Sequence, residues 1–191
     1  MEVLKRKLTY PEFRKLEFDD NDTSWYELIN GELVKKQSPT FDHQRLSKAI
    51  FRRLDAYSFS TDKGEAFYAP LDVVLDDGNS YIPDLFFIKK ERSFIMNEKE
   101  RLVMGAPDLV VEILSKSTAG LDKGTKKENY EKYGVREYWL VDPLKKFIEV
   151  YALVNERYKL VCYLEETGVL KSTVLEDFEM DMEKVFAEAK L

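Results

Sequence analysis

An α/β fold, with a mixed central sheet, flanking helices and further antiparallel strands, is predicted by three observations. The first is the run Asp108-Leu109-Val110-Val111-Glu112-Ile113-Leu114. Near-continuous aliphatic strands of this kind lie inside a sheet and are covered on both faces. The second lies just downstream: a helix over about Asp122 to Tyr133, closed by Gly134 as a left-handed cap, and then another buried strand from Glu137 to Val141. That spacing is a crossover unit, so the two strands are expected to be parallel and joined right-handedly. The third is the set of hairpin signals on either side of this unit.

The remaining elements come in chain order. Thr9-Tyr10-Pro11-Glu12 combines a Thr cap, a proline in the first turn and Glu three residues after the cap, which predicts a helix to about Phe18. It gives way to the acidic turn Asp19-Asp20-Asn21-Asp22. Trp25 to Ile29 and Glu32 to Val34 read as strands around Asn30-Gly31, the residues a type I′ turn requires. A helix over roughly Asp42 to Tyr57 buries Leu46, Ala49, Ile50, Leu54 and Tyr57. A second hairpin is expected from Phe67–Leu75 and Tyr81–Ile88, with Asp76-Asp77-Gly78-Asn79 as its turn. Lys89 to Arg101 is charged and reads as a mobile connection. Ser115 to Gly120 reads as a loop. Phe147–Ala152, Arg157–Leu164 and Val169–Leu175 read as antiparallel strands before a last short helix. Without repeats or a flexible linker, residues 1–191 are expected to form one domain, with an N-terminal helix and hairpin (1–38), a core (about 39–143) and C-terminal strands and helix (144–191).

Composition narrows the class. The chain has 191 residues, 44% hydrophobic and 13% aromatic, enough to bury a sizeable core. Its net charge of −6 argues against a general polyanion-binding surface but not against one local basic groove. The single cysteine, Cys162, excludes an intramolecular disulfide and fits a reducing cytosol. Met1 to Lys7 lacks the apolar core of a signal peptide, and no run reaches the ~20 apolar residues of a membrane span. A soluble, cytoplasmic protein is expected. One histidine and a strand-embedded Cys162 leave no credible Ser-His-Asp or Cys-His set. Neither a Gly-rich phosphate loop nor zinc-ligand spacing occurs.

Glu112 is the residue that points to chemistry. A carboxylate in a doubly covered strand loses hydration worth several kcal/mol unless a cation or hydrogen-bond donors compensate. Period two puts Asp108, Val110, Glu112 and Leu114 on one face. Asp84 follows Pro83 and is the lone acid before Leu85-Phe86-Phe87-Ile88. If the turn centres on Asp77-Gly78, Asp72 lies nearly opposite Asp84. The sheet is thus expected to gather Asp84, Glu112 and Asp72. Converging carboxylates repel, and a hard divalent cation, Mg²⁺ or Mn²⁺, resolves the repulsion. On the following helix Lys126, Tyr130 and Tyr133 share an inward stripe, while Lys123 and Lys127 point to solvent. Lys126 is placed to reach the carboxylates, to orient water or to offset charge on a phosphate.

These residues carry a resemblance. The matching text is Tyr26-Glu27-Leu28-Ile29-Asn30-Gly31-Glu32-Leu33, Ser38-Pro39 with His43, Pro83-Asp84 and Ala106 to Ser115. It continues through Ser117-Thr118, Asp122, Lys126, Tyr130 and Gly134 to Pro143. The chain resembles the Uma-type putative restriction endonucleases of the PD-(D/E)XK nuclease superfamily. The resemblance implies a restriction-endonuclease-like α/β/α core and a Mg²⁺-dependent endonuclease acting on DNA. Asp84 and Glu112 would be catalytic metal ligands, and His43 would line the site. The superfamily's lysine belongs two residues after the acid, where this chain has Leu114. Lys116 is on the right face but roughly 13 Å along the strand at ~3.3 Å per residue. Lys126 stands where the family carries a lysine and is the preferred catalytic candidate. A homodimer is expected by analogy, because cutting two strands usually needs two sites.

Each candidate has a plainer alternative. Glu112 can be half of a buried ion pair with Lys126, and Asp84 a strand-start residue bonded to a loop. Asp108 is expected to be structural. Glu27 is either an additional acid of the site or a cross-strand partner, and His43 either lines the site or is a cap-region side chain. Tyr130, also a site-lining candidate, reads with Tyr133, Tyr138 and Trp139 as core. His43 to Ser58 carries Arg45, Lys48, Arg52 and Arg53 against Asp55, and Ser115 to Arg136 likewise has three more basic than acidic residues. Arg45, Lys48, Lys116 and Lys123 are therefore candidate phosphate contacts. The missing lysine at Leu114 favours a second function class, a non-catalytic nucleic-acid- or partner-binding module with a vestigial site. Hydrolysis of another phosphate ester is a third.

Overall fold

The computed structural model describes residues 6–19 and 21–191; Met1 to Lys5 and Asp20 lie outside, and with them most of the segment read for a signal peptide and part of the acidic turn. Along the chain run α1 (Tyr10–Phe13), β1 (Tyr26–Ile29), β2 (Glu32–Lys35), α2 (Phe41–Thr61), β3 (Gly64–Tyr68), β4 (Asp72–Asp76), β5 (Asn79–Tyr81) and β6 (Leu85–Lys89). A 3₁₀ segment (Lys90–Ile95), β7 (Met96–Asn97), β8 (Leu102–Met104) and β9 (Leu109–Ile113) come next. Then come α3 (Ala119–Leu121), a π-helical segment (Asp122–Lys126), α4 (Lys127–Tyr133), β10 (Glu137–Asp142), β11 (Phe147–Val154), β12 (Arg157–Glu165), β13 (Val169–Lys171), β14 (Glu179–Asp181) and α5 (Met182–Glu188).

The strands form two six-stranded mixed sheets and one small antiparallel pair. The first sheet runs β2-β1-β5-β4-β8-β7, the second β12-β11-β10-β9-β6-β3, and β13 pairs with β14. In the second sheet β9 and β10 are parallel neighbours, Glu112 opposite Leu140, as the crossover spacing predicts. Alternation also holds. Val111, Ile113, Trp139 and Val141 face α2 and α5, while Val110, Leu114, Tyr138 and Leu140 face the first sheet and α4. The α/β class therefore holds, with a second sheet doing on one side what a helix layer was expected to do.

Several local expectations are corrected. The Phe67–Leu75/Tyr81–Ile88 hairpin is not continuous. Each arm breaks at a proline, Pro70 and Pro83, which cannot donate to a ladder. Beyond the breaks β4 pairs β5 in the first sheet, while β3 pairs β6 in the second. Asp72 and Asp84 are thereby separated. The first helix stops after one turn, although its capping box forms, with Thr9 N donating to Glu12 Oε2 at 2.9 Å. It buries no residue, and so short a helix needs packing to persist. Lys89 to Arg101 is ordered, because Arg92 ties it to Asp108 at 3.1 Å and to the Ala106 carbonyl at 2.7 Å. The helix expected from Asp122 begins at Ala119 and carries the π-helical segment. Val169–Leu175 is only a three-residue strand. No helix among the described residues is long and apolar enough to cross a membrane.

Candidate functional site: a buried cluster of four carboxyls and two lysines

The Asn30-Gly31 turn, with φ of +51° and +79°, closes the β1–β2 hairpin and delivers two groups to the facing sheet: Glu27 from β1 and Lys36 just past β2. Asp84 sits one residue before β6, and Glu112 lies on the neighbouring β9. The π-helical segment supplies Asp122 and Lys126, and the first turn of α2 supplies His43. π-segments recur at functional sites because they re-aim side chains out of regular register.

Lys126 answers the question Glu112 poses. Its ammonium is 3.1 Å from Glu112 Oε1, 3.1 Å from Glu27 Oε1 and 3.5 Å from Asp122 Oδ1, and the residue is 2% exposed. Tyr130 donates its hydroxyl to Glu112 Oε1 at 3.0 Å. Glu112 Oε2 takes no hydrogen bond among the described residues. Glu27 also accepts from the Ile82 N–H at 2.9 Å. Asp84 Oδ2 accepts from the Ile113 N–H at 2.9 Å and lies 3.0 Å from His43 Nε2. Asp84 Oδ1 meets only Lys36, whose ammonium is 3.3 Å away and also donates to the Ile82 carbonyl. Two buried polar atoms have no hydrogen-bond partner among the described residues, His43 Nδ1 and Asp122 Oδ1.

The electrostatics derive from burial and charge count. Burial pushes Glu112 up to about 8, Lys126 opposes, and the charges of Asp84 and Asp122 add to the rise. Asp122 is likewise raised by burial, against Lys126. Burial would raise Asp84 too, yet Lys36, His43 and the Ile113 N–H hold it well below the usual carboxylate range. Burial works against the charge of Lys126, but Glu112, Glu27 and Asp122 keep its pKa well above that of a free lysine. Fully ionised, the four carboxyls and two lysines carry a net charge of −2. That deficit adds to the effect of burial on Glu112.

A divalent cation has the charge that closes this deficit, and Asp84 and Glu112 offer the hard oxygen donors it prefers. Among the described residues no set of three or more His, Cys, Asp or Glu side chains converges as a cage for a metal. Two carboxylates completed by water and phosphate oxygens are nevertheless the usual Mg²⁺ environment. The residues present fit Mg²⁺ or Mn²⁺.

The fold brings Asp84, Glu112, Lys126, Glu27, His43 and Tyr130 together. It does not bring Asp72, whose carboxylate faces the Tyr10 hydroxyl at 3.5 Å from the first sheet. Leu114 is buried in apolar core. Asp108 is structural, held by the Lys89 N–H, Arg92 and Arg136. Tyr138 and Trp139 are core, while Tyr133 is half-buried and donates to Asp76. Of the basic candidates, Arg45 is paired with Asp42, and Arg52 and Arg53 with Glu188, so most of the charge on α2 is spent internally. Lys48, Lys116 and Lys123 are exposed, Lys123 lying over the Phe147 ring. Lys36 and Asp122 were missed as site residues. Asp122 had a signal in its i,i+4 spacing from Lys126; Lys36, beside Lys35 in a polar stretch, had none.

Known proteins share this fold. A crystal structure titled as a putative nuclease belonging to DUF820, from Anabaena variabilis, superposes with a TM-score of 0.77 over 95% of this chain and 99% of that one, at 20% identity. An uncharacterized protein of Synechocystis sp. is 29% identical over 151 residues, 78% of this chain and 84% of its own length. The family model Uma2, described as "Putative restriction endonuclease", matches residues 10–183, and the chain belongs to that family.

Proposed function

We propose that the chain is a metal-dependent endonuclease that hydrolyses DNA phosphodiester bonds, with Mg²⁺ or Mn²⁺ held by Asp84 and Glu112. The observation that carries this is a buried cluster in which four carboxyls face two lysines, a net −2 when all are ionised. Once bound, such a cation polarises a phosphate oxygen and acidifies water, which is the chemistry hydrolysis requires. The chain's own groups prepare the site. Ile113 N–H and His43 fix Asp84 Oδ2 and leave Oδ1 turned to Lys36. Lys126 and Tyr130 fix Glu112 Oε1 and leave Oε2 for a cation. Lys126 positions Glu112. A homodimer would bring two sites to a duplex, and sedimentation analysis tests it.

A second reading keeps the family fold as a binding module whose cluster is purely structural. It is favoured by Leu114 in the core and by the complete pairing of Lys126 with three carboxyls. Calorimetric titration of Mn²⁺ and Mg²⁺ into wild type, Asp84→Asn and Glu112→Gln separates the two. Binding to wild type that both substitutions abolish, with cleavage of duplex DNA that needs the metal, supports the nuclease. Salt-sensitive DNA binding indifferent to divalent metal supports the module.

A further inference from the structure

The two lysines of the cluster are not equivalent. Lys126 is 2% exposed and locked among three carboxyls; moving its ammonium would leave Glu27, Glu112 and Asp122 buried without a counter-charge. Lys36 has one carboxylate partner, Asp84 Oδ1, and one carbonyl partner, and its side chain is 18% exposed. Its backbone is pinned, since Lys36 N donates to the Trp25 carbonyl at 2.8 Å, and its ammonium stands at the end of a four-carbon stem with three rotatable donors. Asp84 Oδ2 is already occupied by His43 and the Ile113 N–H. A cation that binds Asp84 must therefore take Oδ1, the oxygen Lys36 holds. Like charges then drive the ammonium away from Asp84, while its anchor keeps it next to any phosphate drawn to the cation.

We infer that Lys36 is the catalytic lysine of this chain: its ammonium guards Asp84 Oδ1 in the metal-free protein and passes to the substrate phosphate when a divalent cation takes that oxygen. The inference rests on the proposed metal-dependent nuclease activity. It assigns to a residue on the β1–β2 hairpin the role for which the superfamily motif would use position 114, and it leaves Lys126 as the positioning residue. No covalent step involves Lys36; it contributes charge to the phosphate, as a preorganised cation does.

The test has a readout that needs no turnover. Mn²⁺ is titrated calorimetrically into wild type, Lys36→Met, Lys36→Gln and Lys36→Arg, each checked for folding by circular dichroism, and cleavage of a duplex DNA is followed in Mn²⁺. Removing the competing ammonium should make Lys36→Met and Lys36→Gln bind Mn²⁺ about tenfold tighter, since one like charge a few ångströms away is worth at least that factor. The same variants should cleave about 100-fold more slowly in kcat with little change in KM, the loss typical of one transition-state charge partner. Lys36→Arg should keep Mn²⁺ affinity near wild type and recover part of kcat. Opposite signs in affinity and rate are what a structural role does not produce. Lys36→Met and Lys36→Gln that cleave like wild type, or that bind Mn²⁺ no more tightly, overturn the inference while the nuclease reading stands. Wild type that binds no Mn²⁺ and cleaves nothing overturns both.

Discussion

Lys126→Met removes the counter-charge at the centre of the cluster while keeping most of the apolar stem. Lys126 lies within 3.1 Å of two carboxylates and 3.5 Å of a third, at 2% exposure. Breaking a buried ion pair by deleting one partner costs about 3–5 kcal/mol, because the other charge stays buried and unmatched. Methionine fills a similar volume, so little of that loss is a cavity. For a chain of this size each kcal/mol moves Tm by about 2–4 °C, so Tm should fall by roughly 6–20 °C. Urea unfolding followed by circular dichroism and differential scanning calorimetry at pH 9, above the Glu112 value of about 8, measure it. Adding Glu112→Gln should return at least about 1 kcal/mol, a non-additivity expected only of groups in contact. A Lys126→Met protein destabilised by less than about 1 kcal/mol, or strict additivity in the double variant, would refute the charge-cluster account.

Other outcomes are expected from the same geometry. Between the ordinary carboxylate value of 4.5 and about 8, native Glu112 holds a proton that the unfolded chain has released. Stability of the metal-free protein should therefore fall as pH rises through that window, and Glu112→Gln should flatten the dependence in urea midpoints taken from pH 5 to 8.5. Gly64→Ala should cost at least about 2 kcal/mol, since φ is +153° and the new Cβ meets the Ile88 carbonyl and, at 2.6 Å, the Phe87 ring; a thermal melt within 2 °C of wild type contradicts this. Glu137→Ala strips the acceptor shared by Trp139 Nε1 and Thr173 N at 2.6 Å and Ser172 Oγ at 2.9 Å, and should lower stability by about 2–4 kcal/mol with a shift in tryptophan emission. Lys48→Ala, Lys116→Ala and Lys123→Ala should each reduce the log–log salt slope of DNA binding by about 1, whereas Arg45→Ala, already paired with Asp42, should reduce it less; anisotropy titrations from 50 to 200 mM salt read the slopes.

The parts of the fold legible in the sequence are those set by local periodicity. Asn30-Gly31 specified its turn because few residues accept positive φ twice in succession. The β9–β10 crossover and the face of Glu112 were legible because alternation and loop length leave one solution. The division of the strands between two sheets was not. Pro70 and Pro83 signalled breaks, but which sheet each fragment joins is decided by packing at long range. Asp72 was misassigned to the cluster for that reason. Lys126 was found because helical spacing aims it inward, although the π-segment that seats it beside Asp122 leaves no sequence signature. Lys36 was invisible because what makes it special is a tertiary neighbour, Asp84, contributed from 48 residues away.

That separation along the chain bears on folding order. Glu27 and Lys126 are 99 residues apart, and neither sheet alone contains the cluster. Contacts of such long range form after local hairpins and helices, since loop closure must be achieved before they reward the chain. A partly folded or still-emerging polypeptide can hold the Asp84–Glu112 strand pair, but it lacks Glu27 and Lys36 in place until the two sheets dock. For a protein proposed to cut DNA, this ordering ties competence to the last stage of folding. On that reading, copies whose two sheets have not docked would lack the completed cluster.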